Sequence, residues 1–314
     1  MKRTNVLVVA ALVVLGLANL LVPVHVQHLH VDLRPSILTH VGPLPLSNTL
    51  LASILASFLL ITFALLARRR LVDLPKARSL QNAVEAGFEL LIEFMQRFAG
   101  EHAIRFFPIV ATLFLFILVS NWLTMFPGVG SIGLETETAQ GVTFVPLLRG
   151  ATSDLNTTCA LAICSVASGQ FFGATSLGLS RHLLRYISIG KWITFFRALF
   201  TGERPRFSLL HSGLLDVFIG ILEIFDEVTK ILSFAFRLFG NIFGGEVLLM
   251  VIAFLMPFLV SIPFIALEMF TGFIQAFIFA VLSTAFFARA VTTHNGTESS
   301  EPPAALADGS SLHA

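Results

Sequence analysis

An arginine stands in the middle of a long apolar run. Arg237, within FAFRLFGNIFGGEVLLM, has no acidic residue within four positions on either side. Placing an arginine at bilayer depth costs about 2.5–3.5 kcal/mol on insertion scales, so its partner is expected to be a carboxylate on another element or another chain. A charge of that kind points to ion movement through a membrane.

Other polar residues are placed around it. At 100° per residue, Glu223, Asp226, Lys230 and Asn241 fall within about 40° of the direction of Arg237, a polar stripe on an otherwise apolar helix. Glu223, Asp226 and Lys230 can equally be a solvated helix end, a reading that does not extend to Arg237. Gly240, Gly244 and Gly245 allow another helix to approach closely. Glu246, nine residues on, lies roughly half a turn round and ~13 Å further along the axis. In the next apolar run Glu268, Thr271 and Gln275 share a face at i, i+3, i+7 spacing. Carboxylates inside a membrane are costly and usually line aqueous cavities or proton paths. A hydrogen-bonded structural pair is the bland alternative. Asp154 and Asn156, in TSDLNTT, fit either a helix cap or a channel mouth. His28 and His30 lack the further ligands a metal site needs, and none is expected.

The elements that position these groups follow from composition. The 314 residues are 55% hydrophobic and 12% charged, against roughly 25% charged in soluble domains, so the chain is an all-α polytopic membrane protein. Apolar runs of spanning length fall at about 5–24, 49–67, 106–126, 157–180, 213–257 and 262–290. These make about six hydrophobic helical segments. The first, in residues 1–24, is expected to be a retained membrane helix rather than a cleaved signal. The fifth run is about 45 residues, ~67 Å as a helix and twice the hydrocarbon core, so it must tilt, bend or lie partly in the membrane plane. With the sixth it forms a long helical hairpin around Pro257 and Pro263. The stretch 82–99, with Glu85, Glu89 and Glu93 at i+4 spacing, reads as an amphipathic interfacial helix. Residues 181–211 read as a cytoplasmic extension and 291–314 as a polar, disordered tail. Cys159 and Cys164 read as small core residues.

Sixteen of the 20 Lys and Arg fall in alternate segments, while the opposite loops hold Arg34 and Arg149. The positive-inside rule therefore puts both termini in the cytoplasm and the loops 25–48, 127–156 and 258–261 outside. A basic start without a transit peptide favours a bacterial inner membrane. No phosphate loop, H-E-x-x-H or G-x-S-x-G motif occurs, so nucleotide chemistry would belong to a partner chain. No cofactor and no nucleic-acid partner are expected.

At FRLFGNIFGGEVLL the chain resembles subunit a of the rotary F-type ATP synthases, the membrane stator beside the ring of c subunits. The similarity runs through most of residues 45–290. It includes Pro75, Gln81 and Glu85, the SDLNTT opening, the Arg237–Asn241–Glu246 spacing and LEMFTGFIQAFIFAVL with Glu268 and Gln275. Two departures stand out: Ile231 replaces a proline common after the lysine, and Glu268 stands where one family version has histidine.

The resemblance implies roles. Arg237 would be the essential stator arginine, with the last two helices tilted against the c-ring. Asp154, Asn241, Glu246, Glu268 and Gln275 would belong to an outer proton half-channel, and Glu223 and Asp226 to an inner one. The subunit would be non-catalytic on its own, and its partners would be the c-ring, b-type peripheral stalk subunits, the rest of the synthase and membrane lipids. The competing reading is an ion-coupled secondary transporter whose intramembrane arginine binds substrate. Such proteins carry internal repeats with paired broken helices, and the sequence displays none.

Overall fold

The computed structural model describes residues 34–70, 79–126, 132–138, 141–179, 207–255 and 261–292, with Val129 and His182. The first apolar run, the core of the 181–211 extension and nearly all of the tail lie outside the described residues.

Six α-helices account for most of the fold: α1 (Asn48–Arg70), α2 (Leu80–Ala99), α3 (Ala103–Met125), α4 (Leu155–Leu177), α5 (Phe207–Leu255) and α6 (Ser261–Val291). Five helical stretches are long and apolar enough to cross a membrane, α2 and α3 counting together as one. Helices dominate because lipid offers no hydrogen bonds, so each backbone group must be satisfied within its own segment. α5 is one unbroken helix of 49 residues, roughly 74 Å along its axis, so the fifth run is helical without interruption within the described range. It begins at Phe207, inside what the sequence suggests is a cytoplasmic extension.

Helix starts carry their caps. The Ser47 hydroxyl accepts from Leu50 N at the start of α1, that of Ser79 from Asn82 N at α2, and the Asp154 carboxylate from Asn156 N at α4. Gly100, at φ 54°, lies in the left-handed region glycine tolerates and separates α2 from α3 with a single 3-10 turn at Gly100–His102.

Two short antiparallel hairpins accompany the helices: β1 (Ile37–Val41) with β2 (Leu44–Ser47) just before α1, and β3 (Gly133–Thr138) with β4 (Gly141–Pro146) between α3 and α4. They sit in connecting segments and leave the all-α architecture as expected. Gly42, at φ 63°, opens the two-residue turn of the first hairpin. The hairpins share one end of the bundle, since Asn48 Nδ2 donates to Pro146 O at 3.3 Å and Arg149 Nη1 donates to Arg34 O at 3.3 Å.

Around α6 pack α3, α4, α5 and α2. Between lipid-immersed helices the hydrophobic effect is weak, and close contact comes from small residues and interlocking rings. Ala162, Ala235, Ala276 and Ala280 are fully buried at these crossings. The hydroxyls of Ser165 and Ser283 meet at 2.7 Å between α4 and α6. Phe106, Phe172 and Phe287 form a three-way ring cluster with centroids 4.8–5.6 Å apart. Asn121 of α3 is a polar node: its Nδ2 donates to Gly272 O at 3.2 Å and its Oδ1 accepts from the Thr152 hydroxyl. Trp122 Nε1 donates to Met269 O at 3.0 Å, tying α3 to the third turn of α6. Cys164 faces outward on α4, contrary to its reading as a core residue, because the apolar surface there is exposed.

Candidate functional site

At the hairpin end, α5 presents Glu246 to the segment following β4. Arg149 Nε stands 3.2 Å from Glu246 Oε2, and the two side chains are only 17% and 18% exposed. A Cβ on Gly150 would come within 2.6 Å of Glu246 Oε1, so the carboxylate occupies room that only glycine leaves. Glu268 of α6 is buried, and its carboxylate lies against Gly245, in the space a Cβ there would fill. Glu268 Oε1 has no hydrogen-bond partner among the described residues. The two carboxylates thus flank consecutive positions of α5.

Asp154 is buried nearby with both oxygens engaged. Thr49 Oγ1 donates to Oδ2 at 3.0 Å and Asn156 N donates to Oδ1 at 2.9 Å. It serves as a helix cap tied to α1, one of its two sequence readings.

Further along the hairpin, Asn241 Nδ2 donates to Gln275 Oε1 at 3.3 Å, joining α5 to α6. Gln275 is buried on the α6 face that also carries Glu268, about two helical turns away. Arg237, one turn before Asn241, is exposed and makes no ion pair or hydrogen bond among the described residues. Ser233, Gly240 and Gly244 are exposed with it, and a Cβ on either glycine would meet nothing within 4 Å. Gly245 differs from its two neighbours in motif: it faces inward and accommodates Glu268 rather than a second helix. The flanks of the Arg237 face are apolar and open, with Leu232 47% and Phe236 56% exposed.

At the far end Lys230 gathers two carboxylates, Asp226 at 3.0 Å and Glu227 at 2.7 Å. Arg289 of α6 reaches Asp226 at 4.0 Å. Gln170, Glu227, Lys230 and Arg289 line a cavity of about 20 Å³, room for about one water molecule. Glu223 is half-buried one turn earlier on α5.

The structure therefore groups the sequence-derived residues in three tiers along one helical pair: Glu246 with Glu268, then Asn241 with Gln275 near Arg237, then Asp226 and Glu223. The single stripe expected on α5 divides, because Asn241 turns to α6 and Lys230 to the α4–α6 side, while Arg237 stays outward. Four participants escaped sequence reasoning: Arg149, Glu227, Thr49 and Asn121. Glu227 had a usable signal, its i, i+3 spacing to Lys230. Arg149 had a weaker one, as one of two basic residues in loops otherwise free of them.

Residues 50–288 match the family described as ATP synthase A chain. The chain is similar to the ATP synthase subunit a of Moorella thermoacetica, 28% identical over 263 residues covering 83% of this chain and 98% of that protein. It is also similar to the ATP synthase subunit a of Syntrophobacter fumaroxidans, 32% identical over 227 residues covering 72% of this chain and 77% of the relative.

Proposed function

Because the chain belongs to the ATP synthase A chain family, we propose that it is the proton-translocating stator of an F-type ATP synthase, with two offset half-channels and Arg237 between them. One observation carries the reading. A charged side chain stands exposed and unpartnered among the described residues in the middle of a 49-residue apolar helix, on a face whose glycines are open. Such a face calls for an intramembrane partner that brings both a close backbone and a carboxylate. A ring of c subunits supplies both.

In this mechanism a proton enters from outside past Glu246 and Glu268, continues by Gln275 and Asn241, and neutralises a ring carboxylate. The neutral carboxylate rotates into lipid at little cost. After nearly a full turn it meets the inner path near Glu223 and Asp226, where Glu227 and Lys230 surround a water-sized cavity, and loses its proton. Arg237 favours the ionised ring carboxylate between the two paths, since a nearby cation stabilises the charged form. It also blocks direct passage of a proton from one path to the other. The driving term is about 2.3 kcal/mol per charge per 100 mV. Asp154 acts as the fixed frame of the entrance, both oxygens being held.

The subunit performs no catalysis alone. Its partners are the c-ring, b-type stalk subunits and the remainder of the complex, and its setting is a bacterial inner membrane with both termini cytoplasmic. The deciding experiment is ATP-driven proton pumping in inverted vesicles carrying Arg237→Ala, with ATPase activity and subunit content followed in parallel. Pumping is expected to vanish with the complex assembled. Normal pumping would overturn the stator role.

A further inference from the structure

Arg149, the cationic half of the hairpin-end ion pair, has no place in the pathway just described, yet its geometry is specific. Arg149 is held from three directions: Nε against Glu246 Oε2 at 3.2 Å, Nη1 on the Arg34 carbonyl at 3.3 Å, and the guanidinium 5.9 Å from the Phe243 ring centroid. A planar guanidinium with fixed donors is pre-organised to hold a carboxylate in one orientation. With Oε2 so occupied, Oε1 is turned into the hollow at Gly150, beside Ser153. The charged neighbours of Glu246 on the elements packed here are Arg149 before α4, Glu268 on α6, lying against the adjacent Gly245, and Asp154, already bound by Thr49 and the α4 backbone.

We infer that Arg149 is a positioning residue for the outer proton path: it fixes Glu246 by one oxygen and so holds the carboxylate, whose other oxygen lies at Gly150 and Ser153, as the proton-exchanging group one position along α5 from Gly245, against which Glu268 lies. The inference rests on the proposed role of Glu246. It assigns to an extramembrane residue control of the rate at which protons load from outside. A free Glu246 side chain would sample several rotamers and meet Glu268 only part of the time.

The test is a double-mutant cycle in the intact synthase complex: Arg149→Gln, Glu246→Gln, both together, and Arg149→Lys. ATP synthesis and ATP-driven pumping are followed in inverted vesicles over a range of lumenal pH, with subunit content checked in each preparation. Glu246→Gln is expected to slow both activities. Arg149→Gln should slow them roughly tenfold in the wild-type background and shift the pH profile, but add less than about twofold when Glu246 is already Gln, since coupled pairs are non-additive. Arg149→Lys, which keeps the charge but not the fork, should recover only part of the rate.

Wild-type rates and profile in Arg149→Gln, with Glu246→Gln impaired, would overturn the inference and leave the outer path standing. An equal factor in both backgrounds would do the same. Full activity in Glu246→Gln would overturn the outer path itself and this inference with it. If Arg149→Gln and the double variant both lose the subunit from the complex, Arg149 is a structural anchor and the inference fails.

Discussion

Three glycines within six residues of α5 act in opposite directions, and the chemistry of the site depends on which way each faces. Gly245 points inward and its missing side chain is replaced by the Glu268 carboxylate; Gly240 and Gly244 point outward into open space. Gly245→Ala must push Glu268 aside, and because the obstacle is the end of a flexible side chain, the helix pair can survive while the carboxylate moves. The expected outcome is normal incorporation of the subunit with proton pumping reduced several-fold, checked by pumping assays on purified complex of known composition. An unchanged pumping rate would mean that the position of Glu268 is unimportant to transport. At this scale the sequence was informative wherever a polar residue interrupted an apolar run, since the energetic cost of burial makes each interruption conspicuous. Glu246, Glu268, Gln275 and Arg237 were all singled out in that way. Arg149 was not, because its partner is 97 positions away in the chain and a loop arginine carries no cost that would betray it.

The helices themselves were legible because lipid leaves few alternatives, and each described apolar run became a helix with ends displaced by a few residues. The hairpins β1–β2 and β3–β4 were not, as strands of four to six residues leave only a short alternating pattern. Neither was the direction in which each side of α5 faces. An ideal wheel places Arg237 and Asn241 about 40° apart, and that difference separates a residue bonded to α6 from one left exposed. The outward face of α5 supports a prediction of its own. Gly240→Leu adds a side chain where nothing within the chain lies in its way, so the subunit is expected to insert and fold as the wild type does. Its bulk would instead obstruct an external helix, which small residues admit and large ones exclude. Protease resistance of the membrane-inserted subunit should be unchanged, whereas co-purification with the ring, or pumping by the complex, should be lost. Wild-type pumping in Gly240→Leu would show that the ring does not approach this face.

Seen as one molecule, the protein divides the carboxylates of a long helix pair between two levels and leaves its arginine between them. Glu246 lies nine residues beyond Arg237 on α5 and Glu223 fourteen before it, separations of roughly 13 Å and 21 Å along a straight helix. No continuous polar route needs to join them, because a rotating partner would carry the proton from one to the other. The bundle should then be wetted from opposite sides at the two positions. Cysteine placed at either should expose that asymmetry, once Cys159 and the outward-facing Cys164 are replaced by serine. With a membrane-impermeant thiol reagent, Glu246→Cys is expected to react in right-side-out vesicles and to be protected in inverted ones, and Glu223→Cys to do the reverse. Arg237→Cys, on the face that the proposed role turns toward the ring, should react slowly from either side in the assembled complex and faster when the ring is absent. Labelling of both end positions from the same side would place the two carboxylates in one compartment. A single aqueous vestibule would then replace the offset paths, and the arginine would have to be a substrate or structural site instead of a barrier.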